Sequence, residues 1–325
     1  MWLLHALSPG IGWRIAFLLG PVLGVVILFV RRNLPESPRW QIMHGRAAEA
    51  EESIAAIERE VAASGQRLPP VDPDKELEVA PARRVGYPTL VRVLFRDYPR
   101  RSILGASLMI SQSFLYNAIF FTYTLVLTKF YGVNASDAPW YLLVFAAGNL
   151  LGPLTLGRLF DTVGRKAMIS GTYIISGAML ALTGFLFNAG VLTAGTQTIL
   201  WCAIFFFASA GASAGYLTVS EIFPIEVRAE AIAVFFAIAQ CFGALGPVIY
   251  GNLIGSGDDP LRLSIGYLIG GGVMIAGGLV ELAFGVPAER ASLEDVARPL
   301  SLVRASSDSL SSEGFKEGTA WRATV

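Results

Sequence analysis

The sequence predicts an all-α membrane protein, on three observations. Of 325 residues, 54% are hydrophobic and 15% charged, whereas a water-soluble domain carries about 25% charged residues. Seven apolar stretches are each long enough to cross a hydrocarbon layer as a helix, which takes about 20 residues. The connections between them alternate between charge-rich and charge-poor, the pattern that positive-inside sorting produces.

The first stretch, 13–30, ends in Arg31 and Arg32. No basic segment precedes it and no small-residue cleavage site follows, so it is expected to span the bilayer and not to be a signal peptide. The connection 31–101 is long and rich in Lys and Arg. Within 45–63, Ala47, Ala50, Ile54, Ile57 and Val61 recur at steps of three and four, which predicts an amphipathic surface helix. Pro69, Pro70 and Pro73 then break the chain, and 89–98 resumes a helix of mixed apolar and basic character.

Six more spans follow at 102–127, 140–159, 167–187, 198–220, 229–254 and 263–286. The turns 158–166 and 221–230 carry arginines, whereas 188–197 carries no charge. That alternation places 31–101, 158–166, 221–230 and the C-terminus in the cytoplasm. Trp140 and Trp201 then fall at outer span ends, where an aromatic belt is expected. The serine-rich end of the tail is expected to be disordered. The chain therefore divides into 1–30, a cytoplasmic linker 31–101, a six-helix domain 102–287 and a largely disordered tail 288–325. A multi-pass protein of the cell membrane, such as a bacterial inner membrane, is the expected setting.

Several function classes are excluded. The formal net charge is zero, which gives no reason to expect nucleic acid. Cys202 and Cys241 lie far apart in apolar runs and read as buried small hydrophobes. His5 and His44 have no ligand neighbours at metal-binding spacing. No nucleophile–base constellation appears in the spans, so neither an enzyme nor a cofactor is expected. The expected partners are the lipid bilayer and a small-molecule solute, and no feature fixes an oligomeric state.

Three polar motifs interrupt the apolar pattern. They are Pro35-Glu36-Ser37-Pro38-Arg39-Trp40; Gly157-Arg158-Leu159-Phe160-Asp161-Thr162-Val163-Gly164-Arg165-Lys166; and Glu221-Ile222-Phe223-Pro224 with Arg228. A weaker fourth is Pro287-Ala288-Glu289 with Ser292-Leu293-Glu294-Asp295. Asp161 and Glu221 sit at the C-terminal, negative ends of their spans. Arg165, Lys166 and Arg228 sit at N-terminal, positive ends. Each charge opposes its own helix dipole by about 0.3–1 kcal/mol. Such placement makes sense where acids and bases of adjacent helix ends pair with one another. Gly164 supplies a tight turn and Pro224 stops a helix.

Together, from Gly12 to about Ala297, these motifs resemble the major facilitator superfamily, in its sugar-porter-like branch. Their order matches that family's sixth to twelfth helices. The resemblance implies the C-terminal six-helix bundle of a major facilitator fold plus one preceding transmembrane helix, with the N-terminal five helices missing and 1–30 a remnant of the N-terminal half. It implies a secondary transporter, truncated here, that moves a small polar organic solute such as a sugar or organic acid by alternating access, with proton coupling a family expectation. A non-transporting membrane remnant or sensor is the alternative. In the family the charged groups latch the cytoplasmic side, a role the resemblance carries to Glu36, Arg39, Arg158, Asp161, Arg165, Glu221 and Arg228.

The chain departs from sugar porters in its seventh-helix signature. Ser111-Gln112 precedes Leu115-Tyr116-Asn117, so one Gln and the Asn remain and the Gly is replaced. Ala212, Ser213 and Tyr216 stand where the family has Gly-Pro and Trp, and Gln240 replaces another Trp. The run 116–123 looks more like bacterial general-substrate members. Gln112, Tyr116 and Tyr123 fall on one helical face by spacing. Asn117 falls on another side, but the resemblance makes it a binding residue. Asn149, mid-span beside Gly148 and Gly152-Pro153, is a further candidate with Tyr216 and Gln240. Polar groups at this depth face the bundle interior, as solute contacts or as interhelical hydrogen bonds. Glu281 is the one charge well inside a span, about 8 Å from its end at 1.5 Å per residue. It is a candidate proton relay or a member of the latch.

Overall fold

The structure, a computed structural model, describes residues 9–32, 36–65, 77–79, 86–287, 296–300 and 321–323. Pro69, Pro70, Pro73, His5, most of the serine-rich tail and most of the fourth motif lie outside the described residues. The chain forms two compact units, 1–83 with 301–325, and 84–300.

In the first unit, α1 (Pro9–Arg32) is one helix with Pro21 inside it and Arg31 and Arg32 in its last turn. Its large apolar side chains from Phe17 to Val30 are all exposed. A helix that is apolar all round needs a non-aqueous surround. After the extended Ser37, Pro38 opens the short α2 (Pro38–Met43), where its missing N–H costs nothing. The amphipathic stretch folds as α3 (Ala47–Ala63). Ala50 is buried, while Ile54 and Ile57 stay exposed. Two short strands, β1 (Leu77–Val79) and β2 (Trp321–Ala323), pair antiparallel with Glu78 opposite Arg322. Residues 321–323 of the tail supply the second of these strands.

The second unit begins with α4 (Tyr87–Arg92). A π-helical turn follows, closed where the Tyr98 amide donates to the Val93 carbonyl at 2.8 Å. Then come α5 (Pro99–Phe120), α6 (Tyr123–Tyr131), α7 (Ala138–Thr162), α8 (Arg165–Asn188), α9 (Ala194–Glu221), α10 (Arg228–Ile254) and α11 (Pro260–Phe284). Among the described residues six helices, all these except α4 and α6, are long and apolar enough to cross a membrane. The expected span 102–127 is broken. Phe121 and Thr122 form a turn between α5 and α6, and the Thr122 hydroxyl donates back to the Ala118 carbonyl.

The main packing pairs are α8 with α11, α7 with α9, and α5 with α10. Glycine makes each pair close. A Cβ added to Gly177 on α8 would lie 2.6 Å from the Gly271 carbonyl of α11, and one added to Gly271 would meet the Gly177 carbonyl equally. On α7, a Cβ at Gly148 or Gly152 would overlap the carbonyls of Cys202 and Phe206 on α9. Such backbone approach is how membrane helices gain van der Waals contact without a hydrophobic driving force. The outward faces keep Leu143, Leu150, Leu154, Phe242, Leu245 and Val248 exposed.

Two local expectations are corrected. Trp140 is 61% exposed, as a belt residue would be, but Trp201 is 1% exposed. Helix α9 begins at Ala194, so Trp201 lies two turns inside it and packs in the core. Cys241 is exposed and Cys202 half-buried, and both are free.

Candidate functional site

A cavity of about 410 Å³ opens in the second unit. Helix α5 contributes Gln112, Ser113, Tyr116 and Asn117, one face at steps of one, four and five. Helix α9 adds Ser209, Ala212, Ser213 and Tyr216, α7 adds Asn149 and α10 adds Gln240. No lining residue carries a charge. Asn117 therefore shares the cavity with Gln112 and Tyr116, where spacing alone put it on another side. Tyr123 is not among the lining residues. The break at Phe121–Thr122 takes it off the α5 face, and its ring packs 6.4 Å from Phe120.

Small residues and one proline set this geometry. Pro153 lacks the N–H that would bond the Asn149 carbonyl one turn back. The Ser209 hydroxyl on α9 donates to that freed carbonyl at 2.5 Å. The Asn149 side chain then accepts from the Tyr116 hydroxyl at 2.5 Å. The Tyr116 ring centroid stands 4.6 Å from that of Phe205, which packs tilted against Phe145 at 4.1 Å. On the opposite wall Ser113 donates to the Gln240 side-chain oxygen at 2.8 Å. The Asn117 amide donates to the Ser113 carbonyl at 2.8 Å. Gly243 on α10 leaves the room these groups use, since a Cβ there would meet the Asn117 amide at 2.5 Å. Gln112 differs from all of them. It is 4% exposed, and neither its amide nitrogen nor its oxygen has a hydrogen-bond partner. A buried amide left so costs about 1–3 kcal/mol.

A second polar cluster lies at one end of the same unit. Gly164, at φ 112°, turns the chain between α7 and α8, a conformation open to glycine and strained for other residues. Arg165, the first residue of α8, forms an ion pair with Glu221, the last of α9. Their side chains are 11% and 17% exposed. Asp161, in the last turn of α7, sits 3.9 Å from Arg165 and is 63% exposed. Arg228 donates to the Phe223 carbonyl at 3.3 Å. Arg158 is exposed. Glu36, exposed, and Arg39, partly buried, belong to the first unit.

One member was missed by sequence. Arg101 donates to the Ile222 carbonyl, at the C-terminus of α9, at 2.6 Å. A cation there satisfies a carbonyl the helix leaves open and complements its dipole. The signal available was only a basic pair, Arg100-Arg101, that also reads as positive-inside bias.

Glu281 does not line the cavity. It is fully buried on α11, and neither carboxylate oxygen has a hydrogen bond. Lys166 shares its site: a Cβ at Gly285 would lie 2.6 Å from the Glu281 carboxylate and 2.9 Å from the Lys166 side chain.

A family model described as sugar (and other) transporter matches residues 2–297. The niacin transporter NiaP of Acinetobacter baylyi is 25% identical over 301 residues, covering 91% of this chain and 64% of its own length. The putative metabolite transport protein YdjK of Escherichia coli is 26% identical over 262 residues, covering 79% and 54%. The facilitated trehalose transporter Tret1 of Apis mellifera ligustica is 24% identical over 238 residues, covering 69% and 45%. The chain thus spans about half to two thirds of the length of these relatives. Among solved structures, the major facilitator superfamily proton:xylose symporter XylE, bound to 6-bromo-6-deoxy-D-glucose, superposes with a TM-score of 0.65 at 18% identity. It covers 88% of this chain and 58% of that one, a likeness of fold.

Proposed function

Because the chain belongs to the sugar (and other) transporter family of the major facilitator superfamily, we propose that it supplies one solute-binding half of a secondary transporter for a small polar organic solute. The observation that carries this reading is an uncharged cavity lined by four amide side chains, Gln112, Asn117, Asn149 and Gln240, with the hydroxyls of Tyr116, Tyr216 and three serines beside them. Polar groups at mid-depth in a helix bundle mark solute paths. The solutes for which two of these relatives are named, niacin and trehalose, belong to the same broad class.

In this proposal Gln112, Asn117 and Gln240 contact the solute, with Tyr116, Asn149 and Tyr216 shaping the cavity. The Arg165–Glu221 pair, with Asp161, Arg158 and Arg228, forms a latch at the cytoplasmic end. Breaking and remaking that latch accompanies alternating access about a site between two repeats. Coupling to protons through Glu281, a cell-membrane location and a cytoplasmic C-terminus are parts of the same proposal.

The test is equilibrium binding of a labelled solute panel to the purified chain in detergent. Gln112→Ala is expected to weaken the best-bound solute at least tenfold, as loss of a buried hydrogen-bond pair does, with the melting temperature unchanged or raised. Unchanged affinity would remove Gln112 from the site.

A further inference from the structure

We propose that α4 and the π-helical turn after it form an interfacial segment that binds anionic phospholipid, with Tyr87, Val91 and Phe95 set among acyl chains and Arg92, Arg96 and Arg100 on the phosphate headgroups. The inference is independent of the solute cavity and rests on the reading of α5 as a membrane span.

Three contacts fix the segment at one end of the bundle. The Ser102 hydroxyl donates to the Leu94 carbonyl at 2.7 Å. The Tyr98 ring meets Phe223 edge-on at 6.4 Å, and Arg101 holds the Ile222 carbonyl. Ile222 and Phe223 follow the last residue of α9, one of the long apolar helices, and Pro99 opens α5, another. Residues 87–97 therefore lie where two spans reach the edge of the hydrocarbon layer.

The side chains of the segment divide into three sectors. Leu90, Val93 and Leu94 are buried in the core of the unit. Tyr87, Val91 and Phe95, at steps of four, form the adjoining sector and are 84%, 54% and 71% exposed. Thr89, Arg92 and Arg96 take the remainder, all exposed. The apolar sector is thus wider than the face the bundle covers. A helix with a broad apolar face and a basic polar face lies in the plane of a membrane interface, where a tyrosine is also at home.

Charge decides the occupant. Residues 86–100 hold three arginines and one acid, Asp97. Arg92 reaches Asp97 only at 4.0 Å and is 68% exposed. Arg96 and Arg100 are exposed as well. Guanidinium groups match phosphate bidentately, and basic groups at the membrane surface draw anionic lipid. A phospholipid offers both chemistries in one molecule: acyl chains for Val91 and Phe95, a phosphate for the arginines.

Two measurements on the full chain test this. In a background of Cys202→Ala and Cys241→Ala, a nitroxide is placed at Phe95→Cys, Arg96→Cys or Leu150→Cys, and the protein is reconstituted in vesicles of phosphatidylcholine and phosphatidylglycerol. Collisions with oxygen should dominate at positions 95 and 150, and collisions with an aqueous nickel chelate at position 96. Leu150, in the middle of α7, is 64% exposed, so a water-exposed label there would refute the spans themselves. A water-exposed label at 95 with a lipid-exposed one at 150 overturns the proposal alone. A label at 95 shielded from both reagents means that protein covers this face, and overturns it too. In the second measurement, lipid retained by the purified chain in detergent is counted by native mass spectrometry. Phosphatidylglycerol should bind at least about tenfold tighter than phosphatidylcholine. Arg92→Gln with Arg96→Gln and Arg100→Gln should remove most of that preference, with the melting temperature little changed because the three side chains are exposed. A preference that survives the triple substitution overturns the headgroup assignment. Inorganic phosphate that displaces the lipid at equal concentration marks a simple anion site and overturns the acyl-chain half.

Discussion

Replacing Glu221 with Gln is expected to cost about 3 kcal/mol of stability, in line with breaking a buried ion pair, and, on the proposed latch role, to lower transport. Arg165 is 11% exposed and its closest acid is Glu221. With that carboxylate neutralised, the guanidinium keeps only Asp161, at 3.9 Å and well exposed, which as a surface partner contributes under about 1 kcal/mol. Asp161→Asn should accordingly lower the melting point little. The double variant Arg165→Met with Glu221→Leu separates fold from function. Replacing both charges by apolar groups of similar volume is often neutral or stabilising. Its melting temperature should recover toward wild type, while uptake by the reconstituted transporter should stay low, because a latch that cannot open and close reversibly is lost. Recovery of uptake as well as stability would reduce the pair to a structural role. The readouts are thermal unfolding in detergent and initial uptake rate.

Gly152→Ala should be the most damaging single-methyl change in the bundle. The added Cβ would overlap the Phe206 backbone carbonyl of α9, and backbone cannot rotate away as a flexible side chain can. Relief requires α7 and α9 to move apart, at a cost of about 1–3 kcal/mol for overpacking. The consequence reaches the cavity. Asn149 lies one turn from Gly152 on α7, and its carbonyl and side chain hold Ser209 and Tyr116. Separation of the helices lengthens both bonds, so solute affinity should fall together with the melting temperature. Gly171→Ala is the matched control. A Cβ at Gly171 meets nothing within 4 Å, so removing a helical glycine there should stabilise by about 0.5–1 kcal/mol. Equal melting temperatures for the two variants would show that the α7–α9 approach is looser than described.

The spans were legible because hydrocarbon imposes length and apolarity on every crossing segment, and that demand is written in composition. The charged turns were legible for a related reason. An acid at a helix C-terminus is unfavourable alone, so Asp161 and Glu221 announced partners before any fold was known. Gln112, Tyr116, Asn149 and Gln240 stood out as polar groups at mid-depth, Asn117 and Tyr216 through the family resemblance, and all six line the cavity. Their companions Ser113 and Ser209 did not stand out, because a small hydroxyl in a helix usually bonds its own preceding turn and gives no sign of the cavity it faces. Tyr123 failed for a definite reason. Extending a face by seven residues assumes an unbroken helix, and the turn at Phe121–Thr122 breaks it. Trp201 failed because the helix start was placed four residues late, which made a core residue look like a belt residue. Burial of Glu281 beside Lys166 depends on the close packing of α8 on α11, which no local pattern announces.

The claim on which the rest depends is that the six long helices cross a bilayer, so that the α7–α8 turn and the α8–α9 turn face opposite sides. Val163 and Val191 mark those turns and are 60% and 63% exposed. In a background of Cys202→Ala and Cys241→Ala, Val163→Cys and Val191→Cys would be treated in sealed vesicles of known orientation with a membrane-impermeant maleimide. The account predicts that Val163→Cys labels only from the cytoplasmic side and Val191→Cys only from the other. Labelling of both from the same side would contradict it.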